Sequence, residues 1–237
     1  MDRFFKFTLL ILALHSTNGV GQESDFRIRT GFSSYSMSDL KNVNTEVLNN
    51  VKEFLNVPVK QMDNFDPGIN YQVQLLMPIS LYDRVGIFYE LASTGSRMSY
   101  SDYTGHYLFD QILVAHSIGM IFEHAIYKNA TSEILLWARG AYVETSLTWK
   151  EELKISDQLT NDNMFMESET STLSIGCGYT RKFNSAFVGV DFGYKLAIPS
   201  KIHQKGDNKA YLRDSHENAV TTDWSGWGLG LSIGIKI

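Results

Sequence analysis

The last twelve residues, Gly226-Trp227-Gly228-Leu229-Gly230-Leu231-Ser232-Ile233-Gly234-Ile235-Lys236-Ile237, decide the fold. Every odd position is a large apolar side chain, and every even position is Gly, Ser or Lys. A period of two means an extended strand with chemically distinct faces. The composition of the second face matters most. A strand on a soluble surface favours long charged side chains there, whereas Gly and Ser suit a crowded interior. The large apolar face then points to something other than a packed core, and lipid is the medium that fits.

Working outward from this segment, the same alternation recurs. Ile69, Tyr71, Val73, Leu75, Met77 and Ile79 alternate with Asn70, Gln72 and Gln74, and Val85, Ile87, Tyr89 and Leu91 alternate with Gly86, Phe88 and Glu90. Such segments predict eight strands near 25–36, 68–80, 84–95, 106–126, 132–149, 168–183, 185–199 and 223–237. They are long compared with the mean strand of about 5–6 residues. Short connections fall at Tyr82-Asp83, Lys128-Asn129-Ala130 and Phe183-Asn184-Ser185, and long ones fall between them. An even strand number with turns short at one end and long at the other is the layout of an eight-stranded antiparallel transmembrane β-barrel. The soluble alternative, a lipocalin-like barrel with its apolar face inward, conflicts with the small residues on the polar face.

Bulk properties agree once they are divided by face. The chain has 237 residues, 21 Lys+Arg against 26 Asp+Glu, a net charge of −5 and 43% hydrophobic content. Mean hydropathy is −0.16, which excludes a helical membrane bundle but not a barrel with a polar lumen. The single Cys excludes an intramolecular disulfide and a Cys-rich metal framework. The acidic balance carries no footprint for nucleic acid. At the N-terminus, Arg3 and Lys6 precede the apolar run Phe7–Leu14 and a small-residue end at Gly19–Gly21. That pattern reads as a secretory signal peptide over residues 1–21, leaving 22–237 as the barrel domain.

An eight-stranded barrel is filled by its own side chains. The expected lumen charges are Arg27, Arg29, Glu90, Glu123, Glu144, Asp191, Lys195 and Lys236, set among Gly31, Ser117, Gly119, Gly140, Ser174, Gly176, Gly178, Gly189 and Gly193. Mixed charges among small residues predict a plugged, hydrogen-bonded interior. Trp149, Tyr179, Phe183, Trp224 and Trp227 lie toward strand ends, as interfacial girdles do. Cys177 falls on an outward face as a small apolar filler.

The first long loop predicts a short helix. Leu40, Val43, Val47, Leu48, Val51, Phe54 and Leu55 recur at three and four residues. Ser36-Met-Ser-Asp39 fits a capping box, and Pro58 follows the end. The stripe reads as a lid over the barrel mouth, with a partner-binding or membrane-surface helix as the alternative. The stretches Thr94–Gly105 and Lys150–Met166 read as polar loops. The last, Lys201–Thr222, reads as a solvated loop whose Lys201, Lys205, Lys209 and Arg213 suit lipopolysaccharide phosphates.

Three of these stretches carry a resemblance. Tyr35-Ser-Met-Ser-Asp-Leu40, Thr94–Gly105 and Phe109-Asp-Gln-Ile-Leu113 resemble a group of outer-membrane β-barrel proteins from Bacteroidota-type bacteria, small porin-like barrels. The resemblance implies fold and an outer-membrane location rather than an activity. It implies outer-membrane lipid and lipopolysaccharide as surroundings and the barrel-insertion machinery as a partner. That machinery reads a terminal aromatic in such barrels, and this chain ends Ile235-Lys236-Ile237.

Catalytic, cofactor and metal sites are not indicated. A lipid A-modifying barrel needs His near Ser and a carboxylate. His116 and Ser117 are adjacent and so point to opposite faces, and His116 and His124 lie about 27 Å apart along a strand. His116 itself falls on an apolar face. His106, His203 and His216 show no metal-ligand spacing. The expectation is a non-catalytic structural or surface-interaction barrel that displays a helix-bearing loop. The alternatives are a lipid A-modifying enzyme and a narrow channel or transporter of small apolar solutes.

Overall fold

The computed structural model of this protein describes residues 24–55, 58–103, 105–155 and 158–237; the expected signal peptide lies outside them. The barrel strands are β1 (Asp25–Ser33), β2 (Gly68–Pro78), β3 (Asp83–Ser101), β4 (Gly105–Lys128), β5 (Ser132–Ile155), β6 (Gln158–Phe183), β7 (Ala186–Ala197) and β8 (Gly226–Lys236). Neighbours in sequence pair antiparallel, except that β7 and β8 are joined by a long excursion and still pair; β1–β8 pairing closes the ring. The helix α1 (Ser38–Leu55) lies between β1 and β2.

The register sets the barrel's shape. A row from Gly68 passes through Ser33, Gly228, Gly193, Gly176, Trp137, Glu123 and Arg84 and returns to β2 at Pro78, ten residues further along. At about 3.3 Å per residue and about 4.8 Å between eight strands, that stagger tilts the strands by about 40° and gives a backbone radius of about 8 Å. Such a lumen holds side chains and little else.

Burial alternates as the strands require. On β1, Asp25, Arg27, Arg29 and Gly31 are buried while Ile28, Thr30 and Phe32 are exposed. The outward apolar residues, from Ile237 at one rim to Trp227 at the other, form a belt about 25 Å tall, ten residues at about 2.5 Å of climb each along a tilted strand. Tyr89, Tyr142, Tyr71 and Trp227 gather toward its upper part. Tyr179 and Phe183 are also exposed outward, near the lower rim. The turns at that rim are tight and self-capped. Ser80 Oγ accepts the Tyr82 and Asp83 amides, Asn129 Oδ1 accepts those of Thr131 and Ser132, and Asn184 takes the positive φ that Asn tolerates.

Beyond the upper rim the structure departs from the expected loops. Thr94–Ser101, and 150–155 with 158–166, are strand, so β3–β6 continue past the belt as a four-stranded blade roughly 25 Å high. Their alternation was masked because it inverts. Inside the belt the inner face is polar; above it the inner face carries Met98, Tyr107, Phe109 and Trp149, and the outer face carries Arg97, Asp110 and Lys150. The strand Lys60–Asn64 covers the β3 edge, and His203–Gln204 with Asp207–Tyr211 covers part of the β6 edge. Covering edges in this way blocks further strand pairing. Lys201–Thr222 is therefore a folded segment, not a solvated loop; Ile202 and Val220 are buried in the mouth.

Candidate functional site

Two layers fill the barrel. The lower is an ion-pair network. Glu123 accepts a hydrogen bond from Arg27 Nη1 at 2.7 Å and forms an ion pair with Arg84, whose Nη2 stands 3.1 Å from its other oxygen. Arg84 also reaches Asp25 at 2.9 Å and Glu133 at 3.1 Å, and Lys182 pairs with Glu133. Arg29 grips Asp191 through Nε and Nη2 at 2.8–3.1 Å and donates to Asn70 Oδ1 at 2.8 Å. Lys195 pairs with Glu90. Charges so placed are tolerated in a closed interior only when mutually paired. Glycine makes the room: a Cβ at Gly230 would strike the Arg29 guanidinium, and one at Gly176 or Gly193 would strike the Trp137 ring. Below the network, Asp25, Arg84, Lys128, Glu133, Lys182 and Lys236 line a vestibule of about 290 Å³ at the lower rim.

The upper layer is apolar. The buried cluster of Tyr35, Leu40, Val43, Phe65, Leu113, Val143, Leu147, Met166, Ile202 and Trp224 plugs the mouth. Trp224 donates Nε1–H to Thr145 Oγ1 at 2.9 Å and meets Tyr35 edge-on at 4.7 Å. On α1, Leu40 and Val43 enter this cluster, while Val47, Leu48 and Val51 lie against the inner face of the blade. Phe54, at 85% exposure, leaves the expected stripe, because the helix end passes beyond the cover available to it. The side chain of Leu55 lies outside the described residues. The expected capping box is replaced: Asp39 Oδ2 accepts the amide and hydroxyl of Thr221 at 3.1 and 2.6 Å, tying the helix start to the last loop. Asn44 donates to Asn64 Oδ1 at 3.2 Å, and Glu46 accepts the Ser215 amide at 3.2 Å.

Among the expected lumen charges, Arg27, Arg29, Glu90, Glu123 and Asp191 are buried in the network, Lys195 is half-buried there, and Lys236 is exposed at the lower mouth. Glu144 is a correction. It is exposed on the outer wall, opposite His116 and Glu169, one step above the belt, where the outer medium is water and a carboxylate belongs outside. Gly140 likewise faces outward. With β5 read in the wrong phase, Glu133 and Arg139 were missed. Asp25, Arg84 and Lys182 were legible, since they share parity with Arg27, Glu90 and Gly176. Trp149 and Trp224 are not girdle residues; Trp149 packs on Phe109 at 4.7 Å inside the blade, and Trp224 is in the plug.

The histidines are spread apart. His116 and the Tyr89 hydroxyl share a hydrogen bond of 2.6 Å at the upper edge of the belt, which accounts for an imidazole on that face. His124 bonds Asp83 at 2.7 Å, and Ser80 bonds the same carboxylate at 2.6 Å. The carboxylate, not the imidazole, is central there, so the group is a turn cap rather than a nucleophile–base relay. His106 pairs with Glu152 high on the blade. Among the described residues no cluster of His, Cys, Asp and Glu suits a metal ion. Cys177 is exposed on the outer wall in an apolar groove of about 660 Å³ beside Ala138, Ile175 and Phe192.

No protein-family model matches the sequence. No curated protein matches it either. Among solved structures, the attachment invasion locus protein Ail of Yersinia pestis aligns with TM-score 0.37 and 11% identity, over 92% of this chain and 100% of that chain. CarO2 of Acinetobacter baumannii aligns at 0.38 and 13%, over 92% and 100%. The outer-membrane protease OmpT of Escherichia coli aligns at 0.35 and 8%, over 90% and 94%. Likeness at this level carries no argument about activity; the architecture rests on the closed register and the belt.

Proposed function

We propose that this chain is an integral outer-membrane barrel with a non-catalytic, surface-facing role: a closed post that carries the blade and helix α1 beyond the membrane. The observation that carries this reading is the inversion of the strands at the upper rim. A β-barrel whose outer face changes from apolar to charged after about 25 Å is matched to one hydrocarbon layer and then to water. The interior supports a post over a channel, since the ion pairs and the apolar plug occupy the lumen at both levels.

Outer-membrane lipid is then the surrounding medium, lipopolysaccharide the neighbour of the outer rim, and the barrel-insertion machinery the route into the membrane after export through a cleaved signal peptide. Lys205 and Lys209, exposed on the last loop, are the cations free to meet lipopolysaccharide phosphates. Lys201 lies 5.2 Å over the Tyr211 ring and Arg213 donates to the Glu217 carbonyl, so both are engaged within the loop.

Fractionation tests the location: the native chain should stay with the outer membrane, and heating should change its migration on a detergent gel. Recovery in a soluble periplasmic fraction would refute the reading. Planar-bilayer recording should show no conductance, and the lipid A mass profile should be unchanged on expression. Steady conductance would favour the channel reading, and an added or lost lipid A group the enzyme reading.

A further inference from the structure

Between the ion-pair layer and the plug lies a cavity of about 40 Å³, lined by Arg139, Trp137, Lys195, Ser117 and Ser174 among others. That is room for one or two water-sized particles. The lining also holds the Arg29 guanidinium and one carboxylate, Glu90, which Lys195 neutralises. Arg139 is 93% buried, its relative exposure being 7%, and its guanidinium stacks 4.0 Å over the Trp137 ring. Its Nε has no hydrogen-bond partner, and neither does the Trp137 indole N–H, equally buried.

The neighbouring carboxylates are already engaged. Asp191 takes three bonds from Arg29 and stands 3.8 Å from Arg139. Glu90 is held by Lys195, and Glu123 by Arg27 and Arg84. Among the described interior residues, six cations (Arg27, Arg29, Arg84, Arg139, Lys182 and Lys195) face five carboxylates (Asp25, Glu90, Glu123, Glu133 and Asp191). Arg139 is the cation left over. A buried charge whose nearest carboxylate stands 3.8 Å away and is already engaged by Arg29, and a buried donor without an acceptor, are both costly.

We infer that this cavity is a binding site for one halide-sized monovalent anion, held by the Arg139 guanidinium and the Trp137 indole N–H. The ion completes the charge balance of the sealed interior. The inference does not depend on what the blade does outside the cell. It fits the cavity's size, since polyatomic organic anions are too large, and its chemistry, since both orphaned groups are donors.

Refolded full-length protein crystallised in bromide tests it. An anomalous peak should appear in the cavity within hydrogen-bond distance of Arg139 and Trp137 Nε1. Water there without anomalous signal, or bromide confined to the surface, would overturn the assignment. In solution, replacing gluconate by bromide at equal ionic strength, about tenfold above its dissociation constant, should raise the unfolding midpoint by roughly 2–5 °C. Arg139→Met should abolish that difference. Trp137→Phe, which keeps a ring beneath the guanidinium, should diminish it and serves as the reporter if Arg139→Met does not fold. Equal midpoints in the two salts for the unmodified protein would contradict the proposal.

Discussion

The lower and upper halves of β3–β6 are the same strands in the same sheet, yet they sort their side chains in opposite ways. Below the rim, Ile118, Met120 and Phe122 of β4 face out while Ser117 and Glu123 face in. Above it, Asp110 and His106 face out while Phe109 and Tyr107 face in against α1 and Trp149. Pleat and register do not change at the rim; the outer medium does. In lipid the outer face must be apolar, and the confined inner face takes the paired polar groups. In water the inner face becomes the dry side, because helix α1 covers it.

The largest effect that separates the halves is expected at the ion pairs. Glu123→Ala leaves Arg27 and part of Arg84 buried without a partner and should lower the unfolding free energy by about 3–5 kcal/mol. Arg97→Ala breaks a bidentate pair with Asp110 above the rim, but the Arg97 side chain is 51% exposed, so the loss should stay below about 1 kcal/mol. Urea titrations of refolded protein in lipid vesicles measure both. Equal losses would mean that the two pairs share one environment.

The next effect probes the outer wall. Leu231→Arg lies mid-belt and should destabilise by about 2–4 kcal/mol, whereas Thr148→Arg, above the belt on β5, should change stability by about 0–1 kcal/mol. The same titration reads both, and a costly Thr148→Arg would extend the lipid zone upward.

How far the sequence could be read follows from this inversion. The β8 run from Gly226 to Ile237 and the Gln72/Gln74 stretch of β2 lie wholly within the belt, so polar residues there point inward and the strand phase is plain. On β5 the run Ile134-Leu-Leu-Trp-Ala-Arg-Gly-Ala-Tyr-Val-Glu144 has apolar residues in both phases, and Glu144 was the conspicuous carboxylate. Reading it as inward assumes lipid outside, which no longer holds two residues above Tyr142. That single choice hid Glu133 and Arg139. The polar stretches at 94–101 and 150–166 read as loops for the same reason: their dry face is completed by a helix distant in sequence, and local alternation does not show what covers it. The stripe on α1 was legible as a helix, but the point where its cover ends, before Phe54, depends on the height of the blade.

The smallest effect lies in the last loop, far from the belt. The Asn218 side-chain amide, with the Asn218 and His216 backbone amides, holds the Asp214 carboxyl below its ordinary range. A depressed carboxyl contributes stability that is complete above its unfolded value, about 3.9, and is lost as pH falls through the lower folded value. Amide exchange at His216 and Asn218, corrected for intrinsic rates, should therefore lose protection only below that range, while the amides of β8 stay unchanged. Loss of protection near neutral pH would assign the turn to another group.

The change of medium along one outer face is the central claim, and spin-label accessibility tests it directly. Single cysteines on β5, placed by Leu136→Cys, Gly140→Cys, Glu144→Cys and Thr148→Cys in a Cys177→Ser background, report oxygen and nickel-chelate collision rates in vesicles. The account expects the first two labels to favour oxygen and the last two the nickel chelate, with the crossover between 140 and 144. Water accessibility at all four positions, or a crossover above 148, would contradict it.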